Sequence, residues 1–305
     1  MHSKTTCPRA RILIYALGGG LGHLTRSVAL ARAVGGRAQV QILTNSAFAS
    51  RVNGAELVRL NPDMGIDESR AAAVRSVNAI QPDCLVVDTF PRGLGGELAP
   101  LLEQFQGRKV LVARDLNPRY VQACELPRFI ERAYDLVLDC ERVPWLVRSS
   151  DEVLPRHRAR EVLQLKSDLP CVLVNGTGTP RESQWYDAVA AALNACEVRR
   201  VDSWPALELY AAADVVVGGA GYNTVNECAA CGVPLVARPW PRKYDRQELR
   251  AEKANRTVRE IADAVAAACE LAQLRSSECR VIRYENGAVA AADQVLHLLA
   301  GSRIL

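Results

Sequence analysis

Residues 11–17 (RILIYAL) form a nearly unbroken apolar run, and a strand of this kind has no polar face to leave in water. It must be covered on both sides, which a parallel sheet flanked by helices provides. Strand patterns recur at 38–44, 56–60, 83–88, 109–113 and 134–139, and again at 171–175, 214–218 and 234–237. Helical patterns separate most of them, as at 24–34, closed by Gly35 and Gly36, and at 184–195. A helix after the strand at 214–218 stops at Cys231, with Gly232 as its cap and Pro234 blocking continuation. The chain closes with helices near 257–274 and 288–299. Between 144 and 170 the pattern loosens, and its prolines and the basic run 156–160 read as a solvated interdomain connection. The alternation on either side predicts two α/β domains, 1–150 and 151–305, with the last helix able to pack back on the first. They are expected to face each other across a cleft, with ligands at the carboxyl ends of the strands.

Composition removes several function classes. A chain of 305 residues suits two domains of about 150. Its 38 basic and 34 acidic residues are scattered and leave a net charge of only +4, which is not the stripe that grips nucleic acid. Aromatics, at 5%, are not interleaved with basic residues, so no stacking platform for bases is visible. No run approaches the ~18 apolar residues of a membrane span, and residues 1–11 lack the apolar centre of a secretion signal. The ten cysteines then read as reduced core thiols in a cytoplasmic protein. Peripheral contact with a membrane through the basic run stays open.

Residues 218–227 (GGAGYNTVNE) join a buried strand to a helix. Glycines let the backbone approach a ligand, and the first helical turn offers free N–H groups and a positive dipole end, as a diphosphate requires. Two readings of Glu227 stand side by side. Thr224-x-x-Glu227 fits a capping box, in which the carboxylate only satisfies a backbone N–H, or Glu227 faces a ligand. The pair Cys228-x-x-Cys231 has no second pair or histidine nearby and reads as small core residues.

In order, Gly-x-x-Thr-Val-x-Glu, Ala-Ala-x-Gly-x-Pro and Lys243-x-Asp245-Arg246-Gln247 resemble the donor half of the lipid II N-acetylglucosaminyltransferase family of peptidoglycan synthesis. The run Gly18-Gly19-Gly20-Leu21-Gly22-His23-Leu24-Thr25-Arg26 looks like the loop that opens the acceptor domain of such enzymes. Asp88-Thr89-Phe90-Pro91-Arg92-Gly93 and Arg114-Asp115 resemble bacterial predicted glycosyltransferases. The resemblance covers roughly residues 11–251 and implies the GT-B fold, two Rossmann-like domains, and a glycosyltransferase. It implies a nucleotide-sugar donor, uridine-linked, bound by Gly176, Thr177, Gly219, Gly221, Asn223, Thr224, Glu227, Asp245, Arg246 and Gln247. Glu227 would then meet the ribose and Gln247 the sugar, while Gly20, Gly22, Arg26 and Arg114 face an unidentified acceptor. The turn at 175–178 departs from the peptidoglycan enzyme's version, which leaves base and sugar preference open.

A nicotinamide enzyme does not fit, because His23 stands where a third glycine belongs and the second strand ends Thr44-Asn45-Ser46 without an acid for a ribose. His23, at a strand-to-helix turn, is a candidate general base, and Asp88, at a strand end, is its rival. Arg26 and Arg114 are candidates for an anionic acceptor or phosphate, and pairing with Asp115 or another acid is an equal alternative for Arg114. No D-x-D carboxylate motif flanks the donor segment, so neither a metal nor a further cofactor is expected. The expected reaction is an inverting, metal-independent sugar transfer. The alternatives are a nucleotide-sugar hydrolase or epimerase of the same fold, and a non-catalytic module that binds the nucleotide-sugar.

Overall fold

The computed structural model describes residues 9–18, 20–166, 169–176, 178–274 and 282–301. The chain divides into two units, Met1–Val147 with Asn286–Leu305, and Arg148–Glu285. The first contains β1 (Arg11–Tyr15), α1 (Leu21–Val34), β2 (Gln39–Thr44), β3 (Glu56–Arg59), α2 (Ile66–Ile80) and β4 (Cys84–Asp88). There follow α3 (Leu98–Gln104), β5 (Arg108–Ala113), α4 (Pro118–Ala123), α5 (Leu126–Ala133) and β6 (Leu136–Asp139). Its six strands lie in the order β3-β2-β1-β4-β5-β6 and pair in parallel throughout. Leu13, Tyr15, Leu85, Val87 and Leu111 pack on one face of the sheet with Leu98, Leu102 and Phe129 from the helices. That burial is why these strands read as continuous apolar runs.

The second unit contains α6 (Arg156–Val162), β7 (Cys171–Asn175), α7 (Pro180–Ala192), β8 (Glu197–Val201), β9 (Val215–Gly219) and α8 (Tyr222–Cys231). After them come β10 (Leu235–Arg238), α9 (Gln247–Ala251), β11 (Arg256–Thr257) and α10 (Ile261–Gln273). The sheet order is β11-β10-β9-β7-β8, again all parallel. The last helix, α11 (Gly287–Ala300), belongs to the first unit, so the chain passes between units at 147/148 and again at 285/286.

Two local expectations are corrected. The run at 156–160 is not a solvated linker. It opens α6, and Arg156 turns inward to Asp214 at 2.8 Å and to the carbonyls of Ala211 and Ala213. A strand also lies where none was expected, at β8, with sequence EVRRV. Its two arginines are spent on neighbours, Arg199 on the carbonyls of Leu163 and Gln164, and Arg200 on Asp187 and the carbonyl of Val174. All eight described cysteines are free thiols, and no described helix is long and apolar enough to cross a membrane.

Candidate functional site

In an open parallel sheet, a crevice forms where the strand order reverses, outside the carboxyl ends of the two strands concerned. In the first unit that point lies between β1 and β4. The glycine loop leaves β1, and Asp88 and Thr89 end β4, so His23 near the start of α1 meets Asp88. His23 Nδ1 lies 2.6 Å from Asp88 Oδ2. Arg26, one turn along α1, donates from Nε to Oδ1 at 2.9 Å and from Nη2 to Oδ2 at 2.7 Å. The Thr89 hydroxyl donates to Oδ2 at 3.0 Å and accepts from Arg26 Nη2 at 2.9 Å.

Burial alone would favour a neutral Asp88, but the Arg26 charge and the His23 contact outweigh it and hold the carboxyl well below the usual range. Asp88 is thus a permanent carboxylate with its lone pairs occupied. It orients the imidazole and leaves Nε2 as the ring nitrogen able to accept a proton. The ring stacks on Phe90, centroids 5.5 Å apart and planes at 29°.

The backbone round the ring is tightly fitted. Gly18 has φ of +151°, and a Cβ there would stand 2.6 Å from His23 Cδ2 and Nε2. Its N–H is held by Asn45 Oδ1 at 2.9 Å. Thr89 has φ of +70°, a left-handed conformation that a β-branched residue seldom adopts. Gly20 is the N-cap of α1, which has no side-chain cap, and Gly22 lies over Arg26 Nη1.

In the second unit the strand order reverses between β7 and β9. Gly176 follows β7, Gly219 ends β9, and the Tyr186 ring fills the space between them. A Cβ on Gly176 would lie 2.2 Å from that ring, and one on Gly219 3.0 Å from its hydroxyl. Tyr186 is fixed in turn by Trp240, whose Nε1 donates to its hydroxyl at 2.8 Å.

Helix α8 starts from Gly221, with no side-chain cap on its first N–H groups and open space where a Cβ on Gly221 would sit. Starting there makes Thr224 the third helical residue, so the capping box does not form. Glu227 is a full turn too far along to reach the N-cap. Glu227 is 5% exposed as a residue, its carboxylate has no hydrogen-bond partner among the described residues, and burial pushes its pKa up to about 7. Asn223, four residues earlier on the same helix face, also has a buried Oδ1 without a donor.

The remaining sites are mixed. Gln247 opens α9, with Oε1 accepting from the Trp240 N–H at 3.0 Å. Asp245 pairs with Arg250 at 2.7 Å, and Arg246 is the N-cap of α9. Thr177 lies outside the described residues. The two arginines expected to face an acceptor both bond to carboxylates. Arg26 is 1% exposed and spent on Asp88 and Thr89, and Arg114 donates to Glu141 at 2.6 Å. Phe90, Asn45, Tyr186 and Trp240 were not among the site residues expected from sequence, since their partners lie on other strands and loops. Among the described residues, no cluster of three or more His, Cys, Asp or Glu side chains could hold a metal ion.

Residues 200–273 match the glycosyltransferase family 28 C-terminal domain. A comparison with curated proteins by sequence gave no match. Among solved structures, the glycosyltransferase SnogD from Streptomyces nogalater is similar, with a TM-score of 0.61 at 16% identity over 95% of this chain and 99% of that one. SsfS6 from Streptomyces sp. SF2575, a glycosyltransferase complexed with thymidine diphosphate, gives 0.61 at 16% identity over 96% of both chains. MurG from Acinetobacter baumannii gives 0.53 at 15% identity over 96% of this chain and 100% of that one. The chain therefore has the two-sheet α/β fold of the GT-B glycosyltransferases, and its residues 200–273 are similar to the family 28 C-terminal domain.

Proposed function

We propose that this protein transfers a sugar from a nucleoside-diphosphate donor, uridine-linked in the first instance, to a hydroxyl acceptor, with inversion and without a metal. The His23–Asp88 pair carries the reading, because it leaves one imidazole nitrogen oriented and free to take a proton. In the step itself the acceptor O–H proton passes to His23 Nε2. The oxygen bonds to the anomeric carbon from the face opposite the diphosphate. The carbon–oxygen bond to the diphosphate breaks, and its electron pair leaves on the phosphate oxygen. The uncapped N–H groups and positive end of α8 meet that charge. Asn223 and Glu227, two acceptors without donors on one helix face, suit the paired hydroxyls of a ribose. The Nε2 donors of Gln247 and the carboxylate of Asp245 then hold the sugar.

The test is an assay of nucleoside diphosphate released from uridine- and thymidine-linked sugars with a panel of hydroxyl acceptors. The thymidine diphosphate in the SsfS6 complex makes that nucleotide the first competitor to try. Wild type is expected to turn over equally in EDTA and to invert the anomeric configuration. His23→Ala should lose roughly 10²–10⁴-fold in rate while keeping its stabilisation by nucleotide. Full activity in His23→Ala removes the base assignment. Release without any acceptor makes water the acceptor and the protein a hydrolase, and binding without turnover makes it a binding module.

A further inference from the structure

Arginines in the second unit mostly end on carboxylates: Arg156 on Asp214, Arg200 on Asp187, Arg242 on Glu182 and Arg250 on Asp245. Arg238 does not. It is the last residue of β10, in register with Gly219, and no described group accepts a hydrogen bond from it or pairs with it. What holds it is aromatic. Its guanidinium carbon lies 4.0 Å from the Trp240 ring centroid and 4.7 Å from that of Trp185. The two indoles stand nearly perpendicular, at 87° and 6.1 Å. Trp240 is tied to Tyr186 through Nε1 and to Gln247 through its backbone N–H, so the corner is braced from two directions. Trp185 is 7% exposed, and its Nε1–H is buried without an acceptor. Two adjacent donors therefore lack an acceptor.

The surrounding field points the same way. Arg181 and Arg259 add positive charge at Arg238, Glu260 opposes them from beyond ion-pair range, and partial burial removes some of its water. Residues 219–224 include no Lys or Arg, and a helix end supplies only about half a unit charge. A diphosphate bound there would be under-compensated unless a cation stood beside it. Arg238 is next to that segment, one strand along from β9. An arginine pre-ordered on two ring faces also loses little freedom on meeting an oxyanion.

We propose that Arg238, with Trp185 Nε1–H, forms an oxyanion subsite that takes a phosphate group. Resting on the donor reading above, that phosphate belongs to the diphosphate of the nucleotide. A separate inorganic phosphate is the other source of the same chemistry.

The test titrates the full chain with uridine and thymidine diphosphates, the matching nucleosides, inorganic pyrophosphate and phosphate. Wild type, Arg238→Gln, Arg238→Lys and Trp185→Phe are compared. Arg238→Gln should weaken nucleoside diphosphate and pyrophosphate by roughly tenfold or more. Nucleoside binding should not change, and Arg238→Lys should recover part of the loss. Equal weakening of nucleoside and nucleoside diphosphate would mean a packing role and overturn the subsite. Wild-type affinity in Arg238→Gln also overturns it, and leaves the donor reading intact. If no nucleotide binds wild type but phosphate or pyrophosphate does so through Arg238, the donor reading fails and the subsite stands. If nothing binds, both fail.

Discussion

Thr89 holds its left-handed backbone next to the Asp88 carboxylate that His23, Arg26 and its own hydroxyl bond to, and such strain in a non-glycine residue typically stores about 1–3 kcal/mol. Substituting it with Ala or Gly removes the same hydroxyl, but only Gly also removes the strain. At an ordinary position Gly is the less stable of the two by roughly 0.5–1 kcal/mol. Here the order should reverse, with Thr89→Gly more stable than Thr89→Ala by about 1 kcal/mol in denaturant unfolding. A Gly variant no more stable than the Ala variant would show that Thr89 is unstrained. Glu227 gives a second prediction at this scale. Its pKa rises from 4.5 to about 7 on folding, so the native state binds more protons than the unfolded chain between those values. Stability must then fall as pH climbs through that window, by up to roughly 3 kcal/mol, and Glu227→Gln should flatten the profile. Asp88 does not confuse the measurement, because its pKa is lowered in the native state and its contribution is lost only on acidification below the usual carboxylate range. A ribose donating to Glu227 favours the ionised form, so nucleotide affinity should rise with pH over the same interval. In sequence, His23 and Asp88 stand 65 residues apart and read as rivals for one role. No spacing joins them. Their partnership exists only because β1 and β4 are neighbours in the sheet, and in the proposed reaction that adjacency gives the histidine the proton-accepting part.

At the level of elements, the legible parts were those with a continuous apolar run or a glycine stop. The strands from β1 to β10 that are buried on both faces were readable for that reason, and so was the end of α8 at Gly232, whose φ is +62°. Strand β8 was not, because its pattern is set by two arginines that bond to carbonyls and acids and bury little apolar surface. The capping box at α8 failed by register. The pattern was present, but the helix begins two residues before Thr224, which frees Glu227 for another use. The loop after β7 was placed by sequence, yet what makes its glycine necessary, the Tyr186 ring, comes from α7. This yields a coupling prediction. Tyr186 is braced by Trp185, Trp240 and Arg200 and cannot swing aside, so Gly176→Ala should cost about 1–3 kcal/mol through overpacking. In the double variant Gly176→Ala with Tyr186→Leu, the two losses should not add, since the smaller side chain vacates the space that the new methyl needs. Strict additivity in chemical denaturation would show that the close approach at Gly176 is not what constrains it.

For the whole molecule, the second passage of the chain at 285/286 matters more than the first, because it returns α11 to a unit otherwise built from the first 147 residues. The return point is pinned. Asn286 accepts from the Leu146 N–H at 3.1 Å, donates to the Leu146 carbonyl at 2.6 Å, and caps α11 through the Ala288 N–H. Gly287 then passes so near the Val143 carbonyl that a Cβ would lie 2.2 Å from that oxygen. Beyond it, Ala288, Ala291, Ala292, Val295 and Leu299 are buried on α11, which packs against α1. The exposed Arg37–Asp293 pair adds little, since such pairs contribute at most about 1 kcal/mol. A chain stopped after Glu285 should therefore lose a hydrophobic contact rather than a charge contact. Calorimetry should show the first unit melting earlier or not folding, while a nucleotide-dependent transition of the 148–285 unit persists. Asn286→Ala, which keeps α11 but removes its cap and its bonds to Leu146, should shift the first unit's transition in the same direction by a smaller amount, about 1–2 kcal/mol. If truncation leaves both transitions in place, α11 is an accessory to the first unit and the division of the chain must be redrawn at 147/148. If instead the nucleotide-dependent transition disappears with α11, the second unit depends on a helix it does not contain.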